Sequence, residues 1–569
     1  MTQSHRKALV LGDDNRSFLS VVRSLGRKGI EVHVAWCSPG LAAARSRYVR
    51  RVHDIRPYSE NGRWKGDLAA LLRGGGFDLV VPCDDRTLLP LQAHRADLEP
   101  LARICLLSNG AFGVAFDKLR TYELAAGLGV SVPPQAVIAH PREAGHVASA
   151  LGLPLVVKPV KSYTLAALTA KNRVRMARSQ EQLESAAAEL LPKGAVVAQK
   201  HFRGHGVGVE VLAAQGEVLV AFQHLRLHEP PTGGGSTYRK SVPLDPRLLA
   251  ATSMLVHALD YTGVLMAEFR VSPRDNEWVF LELNARFWGS LPLAIAAGVD
   301  FPYYLFELLV EGRREFPQRY RSGVSCRNLK KDAAWLVRNL AADRSDPTVS
   351  KVPLRRVFAE CLNVLTLRER SDTLVADDPL PGAIEAGQAA SQALVAGVGA
   401  LRRAWLSAPA LRRAGSARAV RALGRARSVL FVCKGNICRS PFAEHLARLK
   451  LSAGREFASA GYYPVARRPP PLEAAQAARS FGVCLDEHRS IVLTADMAEA
   501  ADVVFVFDDE NRRNVVRLCP SARRKVHFLG LLSSGGPAVI RDPFGATTAD
   551  MRSCYRQIAE AIDSVAGKL

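Results

Sequence analysis

The segment Val432-Cys433-Lys434-Gly435-Asn436-Ile437-Cys438-Arg439-Ser440-Pro441 holds the residue types of covalent phosphoryl chemistry within one tight loop. The apolar run at 429–432 reads as a buried strand, and Pro441, followed by Phe442-Ala-Glu-His-Leu446, suits the first turn of a helix. Successive backbone N–H groups between a strand and a helix cradle an oxyanion, and the helix N-terminus adds a favourable potential. Cys433 stands where that field stabilises a thiolate. Arg439, six residues on, can return to the same anion with a two-pronged guanidinium. Gly435 and Asn436 tolerate the left-handed backbone of such a curl, and Ser440 can donate a hydrogen bond to the sulfur. Phosphoryl transfer to sulfur needs an acid for the leaving oxygen. Arg541-Asp542-Pro543-Phe544 supplies Asp542 on a loop stiffened by proline, with Phe544 as an apolar wall. Cys438 puts a second thiol in the loop, suited to a reversible disulfide with Cys433 under oxidants. Lys434 at the mouth suits substrates with acidic flanks.

A second set of residues lies far upstream. Lys118 opens a helix after Phe116-Asp117, and Lys158 ends the apolar run Leu153-Pro-Leu-Val-Val. Gln199-Lys200 ends another run, a Gly-rich stretch follows at 233–236, and then come Met266-Ala-Glu268 and Phe280-Leu-Glu282-Leu-Asn284-Ala-Arg286. Two separated lysines can neutralise a polyphosphate. Glu282 and Asn284 alternate along a strand and so share a face. Glu268 on the preceding strand completes an oxygen set suited to Mg²⁺, and Arg286 continues the same face toward a transferring phosphoryl group.

The chain that must position these groups has 569 residues, enough for three or four domains, and is 48% hydrophobic, enough for several cores. That composition excludes disorder, collagen-like repeats and a small disulfide scaffold. Ten scattered cysteines fit a reducing cytoplasm. The N-terminus runs directly into an apolar strand rather than a cleavable signal, and no apolar run is long enough to predict a membrane span. The net charge is +23, and residues 401–428 hold eight arginines and no acid, which suits a basic linker or an anionic membrane surface. No specific nucleic acid is expected.

From the N-terminus to about 320, short apolar runs alternate with amphipathic stretches, the pattern of α/β units. Strands are expected near 7–12, 30–34, 77–82 and 153–159, with a helix over 17–28. Beyond 330 the texture turns to alanine and arginine. Leu394, Val398, Leu401 and Trp405 share a helical face, and Pro409 is expected to end or kink that helix.

From Ser428 onward the chain resembles the low-molecular-weight protein tyrosine phosphatases. Beside the loop at 433, Ser459-Ala460-Gly461, Asp486-Glu-His488-Arg-Ser490 and Val503 through Asp508-Asp509-Glu510-Asn511 are similar to that family's further motifs, and Asp542-Pro543 to its general-acid position. The resemblance implies Cys433 as nucleophile, Arg439 as phosphoryl binder, Asp542 as acid then base, and Ser440 and Asn436 as support, with His488 bracing Asn436. It implies no cofactor there, and a phosphotyrosine protein such as a bacterial tyrosine kinase as partner. Some relatives are arsenate reductases, an alternative that needs further cysteines; Cys484 and Cys519 form no obvious pair with the loop.

Residues 5–315 resemble the ATP-grasp superfamily, particularly its carbamoyl-phosphate-synthase-like carboxylate–amine ligases. That resemblance implies Lys118 and Lys158 on ATP phosphates, Gln199 beside the adenine, Glu268, Glu282 and Asn284 on Mg²⁺, and carboxylate and amine substrates. A non-catalytic ATP- or ligand-binding regulator is the contrasting reading. The turn after Lys158 lacks the family's usual glycines, and Lys200 replaces an acidic residue common beside the adenine. The expected fold class is α/β throughout: a Rossmann-like subdomain (1–110), an ATP-grasp domain (111–320), a helical region and basic linker (321–427), and a small doubly wound phosphatase domain (428–569), in a cytoplasmic protein with membrane association through 401–428 left open.

Overall fold

The computed structural model describes residues 6–59, 62–168, 174–230, 235–341, 352–365, 369–391, 394, 408–451, 454–533, 535–544 and 548–567. The chain forms two compact units, Met1–Ala389 and Ala390–Leu569. Both are α/β.

The first unit begins with four parallel strands, β1 (Lys7–Leu11), β2 (Glu31–Ala35), β3 (Val49–His53) and β4 (Leu79–Pro82), in the order β3-β2-β1-β4. Ala8 to Leu11 are fully buried, as expected of a parallel strand covered on both faces. Helix α1 (Ser17–Arg27) buries Phe18, Leu19, Val22 and Leu25, and Asp14 caps it by accepting from Ser17 N at 2.8 Å.

A second, antiparallel sheet is built from β5 (Gln135–Ile138), β6 (Leu155–Pro159), β7 (Arg175–Ala177) and β8 (Val196–Lys200), in the order β5-β8-β6-β7. Helix α2 (Lys118–Gly127) precedes it, capped by Asp117 accepting from Leu119 N at 3.0 Å.

The third sheet has seven strands: β9 (His205–Ala214), β10 (Glu217–His228), β11 (Tyr238–Ser241), β12 (Gly263–Val271), β13 (Trp278–Asn284), β14 (Ser325–Arg327) and β15 (Arg370–Ser371), in the order β13-β12-β9-β10-β11-β14-β15. β9 and β10 meet at Gln215-Gly216, whose φ values of 52° and 75° make the two-residue turn that matches strand twist. In the β12–β13 ladder Glu268 lies opposite Glu282 and Met266 opposite Asn284.

Residues expected in a helical connector instead extend this sheet through β14 and β15. Helices α3 (Leu329–Ala341) and α4 (Leu354–Leu365) follow β14. A buried charge cluster fastens them: His228 pairs through Nδ1 with Asp332 at 2.8 Å and through Nε2 with Glu360 at 2.7 Å, its ring stacked on Trp335 at 3.5 Å. Burial opposes the imidazolium, yet the two carboxylates hold its pKa above the ordinary value. Arg23 on α1 likewise binds buried Asp378 at 2.8 Å.

The second unit carries a parallel sheet of β16 (Ser428–Cys433), β17 (Glu456–Gly461), β18 (Val503–Val506) and β19 (Val526–Phe528), in the order β17-β16-β18-β19. Its neighbours leave β16 on opposite sides, so the C-terminal end of β16 is the switch point of a doubly wound fold, where ligands bind. Helix α5 (Pro409–Arg425) precedes the sheet, α6 (Arg439–Lys450) follows β16, and α7 (Thr548–Ala566) packs on α6 with Tyr555 stacked on Phe442 at 3.9 Å.

Pro409 occupies the first turn of α5, where its missing N–H costs nothing, and the helix it was expected to end falls, beyond Leu394, on residues outside those described. The expectation of a basic linker is corrected. The basic stretch is helical over 409–425, burying Ala419 and Leu423 in the core of this unit and leaving Arg418, Arg421 and Arg425 exposed. Val398, Leu401, Trp405, Gly233 and Gly234 lie outside the described residues. Among those described, no single helix is long and apolar enough to cross a membrane.

Candidate active sites

The loop leaving β16 curls around the Cys433 sulfur. Asn436 N donates to Sγ at 3.2 Å, and Ser440 Oγ lies 3.1 Å away. The curl turns on Asn436, a non-glycine residue at φ 51° and fully buried. Its side chain holds that conformation: Nδ2 donates to Ser440 Oγ at 3.0 Å and to Ser459 Oγ at 2.7 Å, while Oδ1 accepts from Ile491 N at 2.8 Å. With Asn436 donating to it, the Ser440 hydroxyl has its one hydrogen to offer either the sulfur or Ala460 O, 3.4 Å away. His488 Nε2 sits 2.8 Å from Asn436 O, bracing the loop from outside. Gly461 is required by close approach, because a Cβ there would fall 2.7 Å from Asn436 N and 2.8 Å from Lys434 O.

Arg439 opens α6 and is 1% exposed. Its Nη1 donates to Asp508 Oδ2 at 2.7 Å and to Ile540 O at 3.0 Å, and Nη2 pairs with Asp542 Oδ2 at 2.8 Å. Nε is buried without a partner. Burial opposes the charge, but Cys433, Asp542 and Asp508 outweigh it and raise the pKa above the ordinary arginine value. The guanidinium is thus fixed from behind with the Nε donor and one Nη2 hydrogen unspent.

Asp542 stays half-exposed beside this fork, and Phe544 and Tyr463 are exposed at the rim. Lys434 is at the mouth too, 3.4 Å from Glu510. Burial and the nearby Cys433 push the Cys438 thiol well above its ordinary pKa, so it remains protonated and does not compete as a nucleophile. All five residues expected in this chemistry, Cys433, Asn436, Arg439, Ser440 and Asp542, are brought together. Asp508 and Ser459 were missed as supports; the sign was an acidic residue at the end of β18, next to the switch point.

In the first unit a cavity of about 400 Å³ is lined by Lys118, Ser162, Glu282, Asn284, Arg286 and Asp85, among others. Lys118 Nζ donates to Ser162 Oγ at 2.8 Å. Arg286 is held by Asp85, Nε to Oδ1 at 2.8 Å, and its Nη2 donates to Asn284 Oδ1 at 3.1 Å. Asn284 Nδ2 donates to Glu268 Oε1 at 3.1 Å, and Arg226 pairs with the same oxygen at 2.7 Å. Glu268, Glu282 and Asn284 therefore converge as the register requires.

Lys158 and Gln199 are placed differently from expectation. They are buried against each other, Nζ to Oε1 at 2.7 Å, and Lys158 also reaches Tyr122 OH at 3.2 Å, so neither lies in the cavity wall. Lys200 Nζ turns away to Leu151 O at 2.7 Å. Asp85 and Arg226 were missed, although Asp84-Asp85-Arg86 follows a buried parallel strand, the usual place for ligand contacts.

Two carboxylates and an amide oxygen on neighbouring strands fit Mg²⁺, which takes one or two carboxylates together with substrate phosphates. Among the described residues no three His, Cys, Asp or Glu side chains are arranged to hold a metal by themselves.

Comparison with known proteins finds relatives of both portions of the chain. Residues 428–569 match the family model for low molecular weight phosphotyrosine protein phosphatase, and residues 194–332 match a model described as ATP-grasp in the biosynthetic pathway with Ter operon. The low molecular weight protein-tyrosine-phosphatase Etp of Escherichia coli (strain K12) is 38% identical over 103 residues, 18% of this chain and 69% of Etp. A protein-arginine-phosphatase of Geobacillus stearothermophilus is 31% identical over 141 residues, 25% of this chain and 95% of that protein. A biotin carboxylase–ATP complex from Campylobacter jejuni aligns with 16% identity and TM-score 0.46, covering 56% of this chain and 74% of that one. Joined to an ATP-grasp portion, the chain belongs through residues 428–569 to the low molecular weight phosphotyrosine protein phosphatase family.

Proposed function

We propose that the second unit hydrolyses phosphotyrosine in proteins through a cysteinyl-phosphate, and that the first uses ATP to join a carboxylate to an amine. The observation that carries the first reading is Arg439 on the loop that curls around the sulfur, locked by Asp508, Ile540 O and Asp542 with its Nε left unpaired. A phosphoryl group seated in the cradle receives the loop amides and that donor. The Cys433 thiolate attacks phosphorus, the bond to the tyrosine oxygen breaks, and Asp542 protonates the departing phenolate. Water then attacks the phosphocysteine with Asp542 as base, phosphate leaves, and the thiolate returns.

The exposed rings of Tyr463 and Phe544 favour an aromatic substrate at the rim. Phosphate release from a phosphotyrosine peptide is expected to exceed release from phosphoarginine by at least about tenfold in kcat/KM, on the order of 1.4 kcal/mol. A preference for phosphoarginine, the chemistry named for the Geobacillus relative, would overturn the choice of tyrosine.

For the first unit, Lys118 and Arg286 would meet ATP phosphates in the cavity they line, with Ser162 beside Lys118. Glu268, Glu282 and Asn284 would hold Mg²⁺, which neutralises phosphate charge when bound. Phosphorylation of a carboxylate by ATP gives an acyl phosphate and ADP, and attack by the amine expels phosphate. ADP release is expected to fall by about 10²-fold or more in Glu282→Gln, the loss typical of a group that stabilises transition-state charge. Undiminished release would refute the assignment of Glu282, and nucleotide binding without any ADP release in the parent chain would favour a regulator.

A further inference from the structure

The phosphate loop is gripped from outside by its carbonyls. In a trans peptide the C=O and the following N–H point in opposite directions. A loop whose N–H groups face an anion therefore turns its carbonyls outward, where each needs a donor. Three successive carbonyls find one. Lys434 O accepts from Tyr463 N at 2.8 Å, Gly435 O from Arg468 Nη2 at 2.6 Å, and Asn436 O from His488 Nε2 at 2.8 Å. The first donor is an amide and the third an imidazole. The middle one is a guanidinium, carried on the segment after β17 rather than on the loop or on α6.

That middle contact bears on the sulfur. Gly435 C=O and Asn436 N–H belong to one peptide group, and Asn436 N is the amide that donates to Cys433 Sγ at 3.2 Å. A cation on the carbonyl oxygen fixes the plane of this peptide. By drawing electrons toward the oxygen it also makes the N–H a stronger donor. Arg439 would meet a seated phosphoryl group itself, whereas Arg468 acts through a peptide.

Arg468 is built into this position. Its N donates to Ser490 Oγ at 2.9 Å and its O accepts from Ser490 N at 3.0 Å. The preceding residue, Arg467, takes a left-handed φ of 59° and donates from N to Ser490 O at 2.8 Å. From this anchored backbone the half-buried side chain crosses to the loop. Nε donates to Val465 O at 3.2 Å, and the guanidinium carbon stands 4.4 Å from the centre of the Tyr463 ring, a cation on an aromatic face. Its hydrogen-bond partners are backbone carbonyls, not carboxylates, so the charge is directed at the loop. Gly435 leaves room for the approach, since a Cβ there would fall 3.0 Å from Arg468 Nη2.

We propose that Arg468 is a positioning residue of the phosphatase: its guanidinium holds and polarises the Gly435–Asn436 peptide, so that the Asn436 N–H faces the sulfur and the phosphoryl group seated above it. The charge of the side chain, beyond its packing on Tyr463, carries the effect. The proposal rests on the phosphatase reading of the second unit.

The test is competitive inhibition of p-nitrophenyl phosphate hydrolysis by inorganic phosphate, measured on the full chain. Arg468→Met keeps bulk over Tyr463 and loses the donor. Its phosphate inhibition constant is expected to rise about tenfold or more, and kcat/KM to fall by a similar factor, as for loss of a charged hydrogen bond. Arg468→Lys, which keeps a cation with donors, should stay within about threefold of the parent in both constants. Melting transitions establish that each variant is folded; should Arg468→Met not fold, Arg468→Gln takes its place with the same expected loss. A smaller loss in the folded neutral variant, or a loss in Arg468→Lys equal to that of the neutral variant, would overturn the proposal. Absence of hydrolysis by the parent, or hydrolysis that persists in Cys433→Ser, instead overturns the phosphatase reading beneath it.

Discussion

Replacing Cys433 by serine is expected to lower hydrolysis of p-nitrophenyl phosphate by about 10⁴-fold or more, since the covalent route is lost with the nucleophile. A hydroxyl at this position would find the same loop: Asn436 N, 3.2 Å from the sulfur, and Ser440 Oγ, 3.1 Å from it, would remain. What changes is ionisation. A thiol is intrinsically far more acidic than an alcohol, which keeps its proton and is the poorer leaving group in the second step. Cys438 cannot substitute, because burial holds its thiol protonated. Activity of Cys433→Ser above about 1% of the parent would remove the sulfur from the reaction.

Asp542→Asn is expected to lower turnover of a phosphotyrosine peptide by about 10²–10³-fold, within the range for loss of a general acid. The diagnostic feature is its dependence on the leaving group. A tyrosine phenolate needs the proton, whereas p-nitrophenolate leaves readily without it, so the loss with p-nitrophenyl phosphate should be at least about tenfold smaller. The carboxylate also anchors Arg439 Nη2 at 2.8 Å. Were anchoring its whole contribution, both substrates would lose equally. Arg439 keeps Asp508 and Ile540 O in the variant, so the fork stays in place.

The loop chemistry was legible because it is local. Cys433, Asn436, Arg439 and Ser440 lie within eight residues, and strand, curl and helix impose their convergence. The approach of Asp542 from over a hundred residues away was legible only through family resemblance. Asp508 was quoted as part of a motif, yet its grip on Arg439 depends on how β18 packs beside β16, which no spacing reveals.

The first unit was harder. Glu268, Glu282 and Asn284 converge because strand alternation and β12–β13 pairing require it. Lys158 and Gln199 do not reach the cavity, since each is satisfied by the other across the β6–β8 pair. Strand β9 escaped notice because Gly206 through Ala214 are all buried, leaving no alternation to read. The fate of 325–378 was hidden as well, because the pairing of His228 with Asp332 and Glu360 joins residues more than a hundred positions apart. Pro409 read as a breaker from the residues before it; only the core contacts of Ala419 and Leu423 reveal the helix it begins.

The covalent step itself is open to direct observation. The full chain, mixed with excess p-nitrophenyl phosphate and quenched in acid within milliseconds, should carry one phosphoryl group, and mass spectrometry of its peptides should place that group on Cys433, with none on Cys433→Ser. Phosphate released by the parent at full rate with no phosphocysteine at any quench time, or a phosphoryl group on another residue, would contradict the account.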